Sequence, residues 1–154
     1  MQIGVRERDV NELTLRDFLP YQLSVLSAQV SREFSSHYQK QHGLSVSEWR
    51  ILAHLSQQNK PMSVREIFRQ VDMDKSKVSR AASRLRDRGL VKKDPSQVDA
   101  RLVELALSPA GFEMVQTITP LALAFENQLV ERLGNSGDSF RDNIKMLISR
   151  NEDI

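Results

Sequence analysis

The sequence predicts a mainly α fold with one small β-hairpin, and three observations predict it. Apolar residues recur at spacings of three and four through most of the 154 residues, the period of a helix with one buried side. That period gives way to alternation only around residues 90–107, where strands are expected. Ser or Asp before the apolar stripes and Gly after them are the residues that start and stop helices. The composition, 27% charged and 40% apolar, is that of a globular chain. There is no Cys, which excludes disulfides, thiolate metal sites and thiol-based redox sensing.

Residues 1–12 are polar and are expected to fray. A helix is predicted from about Leu13 to His42, with Leu23, Leu26, Val30, Phe34 and Tyr38 in one stripe and a kink or break near Pro20. Gly43 ends it. Ser47 is predicted to cap a second helix carrying Trp49, Ile51, Leu52 and Leu55, followed by a turn at Asn59, Lys60 and Pro61. Ser63 starts a short third helix, with Glu66 three residues on as in a capping box. A fourth runs from about Asp74 to Arg88, entered through Asp72 or Asp74 and stopped by Gly89. Leu90 and Val91, then Leu102, Val103, Leu105 and Leu107, form the hairpin around a loop at about 95–100. Ser108 and Pro109 start a long helix to about Leu133, bent at Pro120. After a break at Gly134–Gly137, a last helix carries Phe140, Ile144, Leu147 and Ile148.

Three short helices and a hairpin make a winged helix-turn-helix domain, placed at 44–108. The segments 1–43 and 109–154 flank it with helices whose apolar faces are wider than a small core can cover. Such a surplus points to dimerisation.

Net charge is only +2, but its distribution is uneven. Residues 60–101 hold 12 basic and 6 acidic side chains, a net of +6, and the other 10 basic and 14 acidic residues leave −4. A basic middle between acidic flanks suits a polyanion-binding segment; a solvated basic face is the alternative on charge alone. The helix 74–88 sharpens the choice. Val78, Ala81, Ala82 and Leu85 fall on one face, small and apolar enough to dock closely on other helices. Ser76, Arg80, Ser83 and Asp87 lie opposite, with Lys77 and Arg84 beside them. Short hydroxyls and long cations on the outer face suit the major groove of double-stranded DNA, where Arg binds guanine bidentately.

The run Met73-Asp74-Lys75-Ser76-Lys77-Val78-Ser79-Arg80, with Leu85 and Arg88-Gly89-Leu90-Val91, resembles the recognition-helix signature of the MarR family of bacterial regulators. Asp94-Pro95, Asp99-Ala100-Arg101 and Leu105-Ala106-Leu107-Ser108-Pro109-Ala110-Gly111 resemble that family's wing and the exit from it. Leu44 through Leu55 is similar to its second helix. The likeness covers roughly residues 13–150. The chain departs from the pattern at Ala100, where the family often has Arg, at Ser108 in place of Thr, and at Lys77 where Thr is common.

The resemblance implies a homodimeric, sequence-specific DNA-binding transcriptional regulator, most simply a repressor, on a pseudo-palindromic operator with half-sites about 10 bp apart. Ser76, Lys77, Ser79, Arg80 and Arg84 are the candidates for the major groove, Arg101 for the minor groove or its phosphates, and Lys92 and Lys93 for phosphates. Asp99 is expected to hold the wing by pairing with a nearby Arg, since an acid beside phosphate binds nothing there. Two other readings stay open: a winged-helix protein-interaction module and a non-specific architectural DNA binder.

Trp49 reads first as a core residue. The resemblance adds an alternative, a cavity for a small aromatic or anionic effector, with Tyr38, His42 and His54 as polar neighbours. No metal, cofactor or catalytic motif is found: His37 and His42 are five apart, off a shared face, and no nucleophile elbow or phosphate-cradling Gly loop occurs. Charges at Arg6–Asp9 interrupt any secretory signal, and the apolar run Leu121–Phe125 is too short to cross a membrane. The sequence therefore predicts a cytoplasmic non-enzyme.

Overall fold

The computed structural model describes residues 13–58 and 60–149. The frayed segment expected at 1–12 and Asn59 of the predicted turn lie outside the described residues.

The long first helix is in fact three pieces: a single 3₁₀ turn (Leu15–Asp17), α1 (Leu19–Ser36) and one further turn, α2 (Gln39–His42). Phe18 is extended and Pro20 sits in the first turn of α1, where its missing N–H costs nothing. The second break has a local cause. The Ser35 and Ser36 hydroxyls donate back to the Arg32 and Glu33 carbonyls, competing with the helix ladder as α1 ends. The chain then turns at Tyr38, which sends its ring into the core at 1% exposure. Gly43 closes α2 with φ +64, a left-handed conformation that favours glycine.

Helix α3 (Val46–Gln58) is capped two residues earlier than expected. The cap is Ser45, not Ser47: the Glu48 N–H donates to Ser45 Oγ at 3.2 Å and the Ser45 N–H donates to Glu48 Oε2 at 2.7 Å. Only Ser45 has an acid three residues on, so only it can make this reciprocal pair. Helix α4 (Val64–Gln70) starts at Ser63 with the predicted capping box to Glu66. Asp74 accepts the Lys77 N–H and starts α5 (Lys75–Asp87).

The expected hairpin is the major part of a three-stranded antiparallel sheet in the order β1-β3-β2. Strands β2 (Val91–Pro95) and β3 (Val103–Leu107) pair with Val91 opposite Leu107 and Pro95 opposite Val103. The unexpected strand is β1, only Met62–Ser63, which pairs Met62 with Leu105. Two residues are too few for a period, and Ser63 already serves as a helix cap, so nothing local marks the pairing.

Helix α6 (Pro109–Glu131) starts at Ser108 and runs through Pro120; a 3₁₀ turn at 134–136 leads into α7 (Gly137–Ser149). The core lies where α3, α4 and α5 meet the sheet. Ile51, Leu52, Ile67, Val78, Ala81, Ala82, Leu85 and Leu105 are fully buried there. Ile118 and Val115 of α6 extend it toward Tyr38. By contrast Leu19, Leu23 and Leu26 of α1, and Met146, Leu147 and Ile148 of α7, remain exposed. Among the described residues no helix is long and apolar enough to cross a membrane.

Candidate nucleic-acid interface

Helix α5 presents two contrasting faces. Val78, Ala81, Ala82 and Leu85 are buried against α3 and α4. Ser76, Lys77, Ser79 and Arg80 are all exposed on the first two turns. Asp74 secures the start: its Oδ1 accepts the Lys77 N–H at 2.8 Å, and its Oδ2 lies 3.8 Å from Lys77 Nζ. The exposed end of α5 thus gathers cations and hydroxyls around a helix N-terminus, an arrangement suited to phosphate.

Arg84 stands apart from this group. Its Nε–H donates to Glu48 Oε1 at 3.2 Å, and its side chain is about half exposed. Arg88, one turn on, is also engaged, donating to the His42 carbonyl at 2.7 Å and the Gly43 carbonyl at 3.0 Å. Neither Glu48 nor Arg88 is among the candidate site residues named from the sequence. The Ser45–Glu48 spacing was a visible signal for the first; the second makes a contact across 46 positions, which no local pattern announces.

The wing is knotted by Ser96, a buried serine in its loop. Its hydroxyl donates to Glu104 Oε1 at 2.6 Å and accepts the Val98 N–H at 3.2 Å. Beyond that knot Asp99 grips Arg101 through the Arg101 N–H at 3.1 Å and its Nε and a terminal nitrogen at 3.1 and 3.3 Å. These bonds hold the Asp99 carboxyl below its ordinary range, the side-chain bond being the larger cause. Arg101 itself is 90% exposed at the wing tip.

Lys92 and Lys93 do not share a surface. They are neighbours on β2, so their side chains leave opposite faces of the sheet. Lys93 pairs with buried Leu105 on the core-facing side, while Lys92 pairs with Ala106 on the other and is exposed. One wing face offers only one of the two.

The four candidate effector residues are likewise not brought together. Tyr38 and Trp49 meet in an aromatic cluster with Phe34, their ring centroids 6.0 Å apart. Burial pushes the Tyr38 hydroxyl up to about 12, against a smaller opposing pull from Arg50, so it stays neutral. Trp49 and His54 line an open groove of about 310 Å³ between α3 and the end of α4, with Arg50 and Asp72. The buried His54 Nε2 has no hydrogen-bond partner among the described residues. His42 is elsewhere, its carbonyl held by Arg88. The described residues contain no cluster of three or more potential metal ligands.

Residues 42–102, from the end of α2 to the wing loop, match the sequence model of the MarR family. No curated protein matches the chain. Among solved structures it is similar to a MarR/EmrR family transcriptional regulator from an Acinetobacter species, with a TM-score of 0.79 at 23% identity, covering 92% of this chain and 100% of that one. It is similar to a MarR family regulator of Silicibacter pomeroyi, at 0.74 and 26% identity over 90% and 98% of the two chains. It also resembles Bordetella bronchiseptica BpsR, whose DNA binding is regulated by 6-hydroxynicotinic acid, at 0.78 and 17% identity over 93% and 99%.

Proposed function

We propose that this chain, with its MarR-family segment at 42–102 and the fold of MarR-family transcriptional regulators, is a cytoplasmic, sequence-specific DNA-binding regulator that acts as a homodimer. The observation that carries this reading is α5: a buried small-residue face opposite exposed Ser76, Lys77, Ser79 and Arg80, followed directly by a wing that ends in Arg101. The helix would lie in the major groove, with Arg101 and Lys92 toward the backbone or minor groove. The uncovered apolar residues of α1 and α7 are the surface for a second copy, which would set two α5 helices on a pseudo-palindromic operator. Repression follows from occupying a promoter.

The proposal extends to release by a small aromatic or anionic molecule, supported by BpsR's response to 6-hydroxynicotinic acid and by the groove at Trp49, Arg50 and His54. A ligand that binds more tightly to a spacing of the α5 helices unsuited to DNA would lower affinity by that difference.

Selection of bound fragments from a random duplex library, followed by titration of the winner, tests the reading. The expected result is a palindromic site bound by two chains, about a thousandfold or more above random DNA. Equal affinity for every sequence would leave an architectural binder; no affinity for DNA would leave a protein-interaction module.

A further inference from the structure

One buried carboxylate joins the start of α3 to the flank of α5. Glu48 is 4% exposed and anchored locally: Oε2 accepts the Ser45 N–H, and its own N–H donates to Ser45 Oγ. Its remaining oxygen, Oε1, accepts the Arg84 Nε–H at 3.2 Å. The partner is the opposite kind of residue, a flexible cation about half exposed. In such a pair the acid is the anchor and the arginine is what becomes ordered.

Engaging Nε has a definite consequence for the guanidinium. The group is planar and rigid, so fixing Nε–H on an anchored acceptor restrains the last rotations of the side chain. The two terminal nitrogens make no other hydrogen bond among the described residues, and the edge they form stays available. That edge is the fork that matches guanine O6 and N7. Arg88 prevents the arrangement from sliding, because its bonds to the His42 and Gly43 carbonyls tie the same flank of α5 to the corner from which α3 starts.

We propose that Glu48 is a positioning residue for sequence reading: it orders Arg84 so that its terminal nitrogens meet one guanine in each half-site. This rests on the reading of α5 as the DNA-contacting helix. A prepaid side-chain order shows as discrimination at one base pair rather than as general affinity.

The test is the same library selection, run on the wild type, Arg84→Ala, Glu48→Gln and the double variant, with each half-site position then substituted singly. Glu48→Gln keeps an oxygen for the Ser45 N–H but turns an NH2, a donor, toward the Arg84 Nε–H, so the acceptor for Arg84 is lost along with the charge while the cap of α3 is kept; circular dichroism checks the fold. Arg84→Ala should abolish preference at one base pair per half-site. Glu48→Gln should cut discrimination at that same pair about tenfold, within the range a bidentate contact supplies, with the other positions within about twofold. On the Arg84→Ala background it should change nothing further. A uniform loss at all positions would assign Glu48 a purely structural role and overturn the inference, as would an unchanged profile. If the wild type itself selects no sequence, the parent reading fails and takes the inference with it.

Discussion

Gly111→Ala adds one methyl group at the joint between the wing and α6. Gly111 is the third residue of that helix and is buried. A Cβ there would lie 2.0 Å from the Leu90 carbonyl oxygen and 3.2 Å from Leu107 Cδ2. Ordinary contact begins near 3.4 Å, so helix and strand must part by about 1.4 Å. The obstacle is backbone and cannot rotate away. The same movement would stretch two hydrogen bonds: Ser108 N–H to the Leu90 carbonyl at 3.1 Å and Ser108 Oγ–H to the Gly89 carbonyl at 2.6 Å. Overpacking costs about 1–3 kcal/mol and each lost bond about 1 kcal/mol, so the variant should be less stable by about 3–5 kcal/mol. For a chain of this size that lowers Tm by roughly 10 °C. Gly89→Ala is the control: Gly89 has φ +70 but no atom within 4 Å of its would-be Cβ. It should cost only about 1 kcal/mol of backbone strain. Urea unfolding of both variants at one protein concentration decides the matter. Gly111→Ala within about 1 kcal/mol of the wild type would refute the close approach of α6 to Leu90.

Other outcomes follow from single contacts. Ser108→Ala removes both the acceptor for the Gly111 N–H and the donor to Gly89, and should cost about 1–3 kcal/mol in urea titrations. Glu66 is held below its ordinary 4.5 because the Ser63 N–H and hydroxyl both donate to it. A lowered folded value means stability present above pH 4.5 and lost as pH falls below it, so Glu66→Gln should flatten the acid side of the stability curve; parallel curves would remove the carboxylate from the account. Arg101→Ala should leave stability within about 0.5 kcal/mol, since the side chain is exposed. It should weaken DNA binding and reduce the salt slope by about 1 if the contact is to one phosphate; unchanged binding would take the wing off the DNA. Leu147→Asp on the exposed face of α7 should yield monomers in sedimentation, and an intact dimer would place the interface elsewhere.

Much of the candidate interface was legible because it is local. The capping box at Ser63 and Glu66, the cap at Asp74 and the buried side of α5 each involve residues within one or two turns, where spacing alone sets which side chains meet. That Lys92 and Lys93 leave opposite faces of β2 follows from a rule equally local: adjacent strand residues face opposite ways, so a shared charge is not a shared surface. The break at Tyr38 was harder, since the apolar stripe runs through it. The local back-bonds of Ser35 and Ser36 are joined there by the burial of the Tyr38 ring against Phe34 and Trp49, whose place depends on other helices.

By itself, the sequence determined most of the helices, the caps at Ser63, Asp74 and Ser108, the hairpin and the polarity of each face. These depend on backbone propensities and on periods of 3.6 and 2, which act between near neighbours. Only the tertiary structure decided the pairing of Met62 with Leu105, the close approach of Gly111 to Leu90 and the bond from Glu48 to Arg84. Each joins residues more than twenty positions apart. Such contacts form when several buried faces are satisfied at once in three dimensions, and no local pattern carries that information.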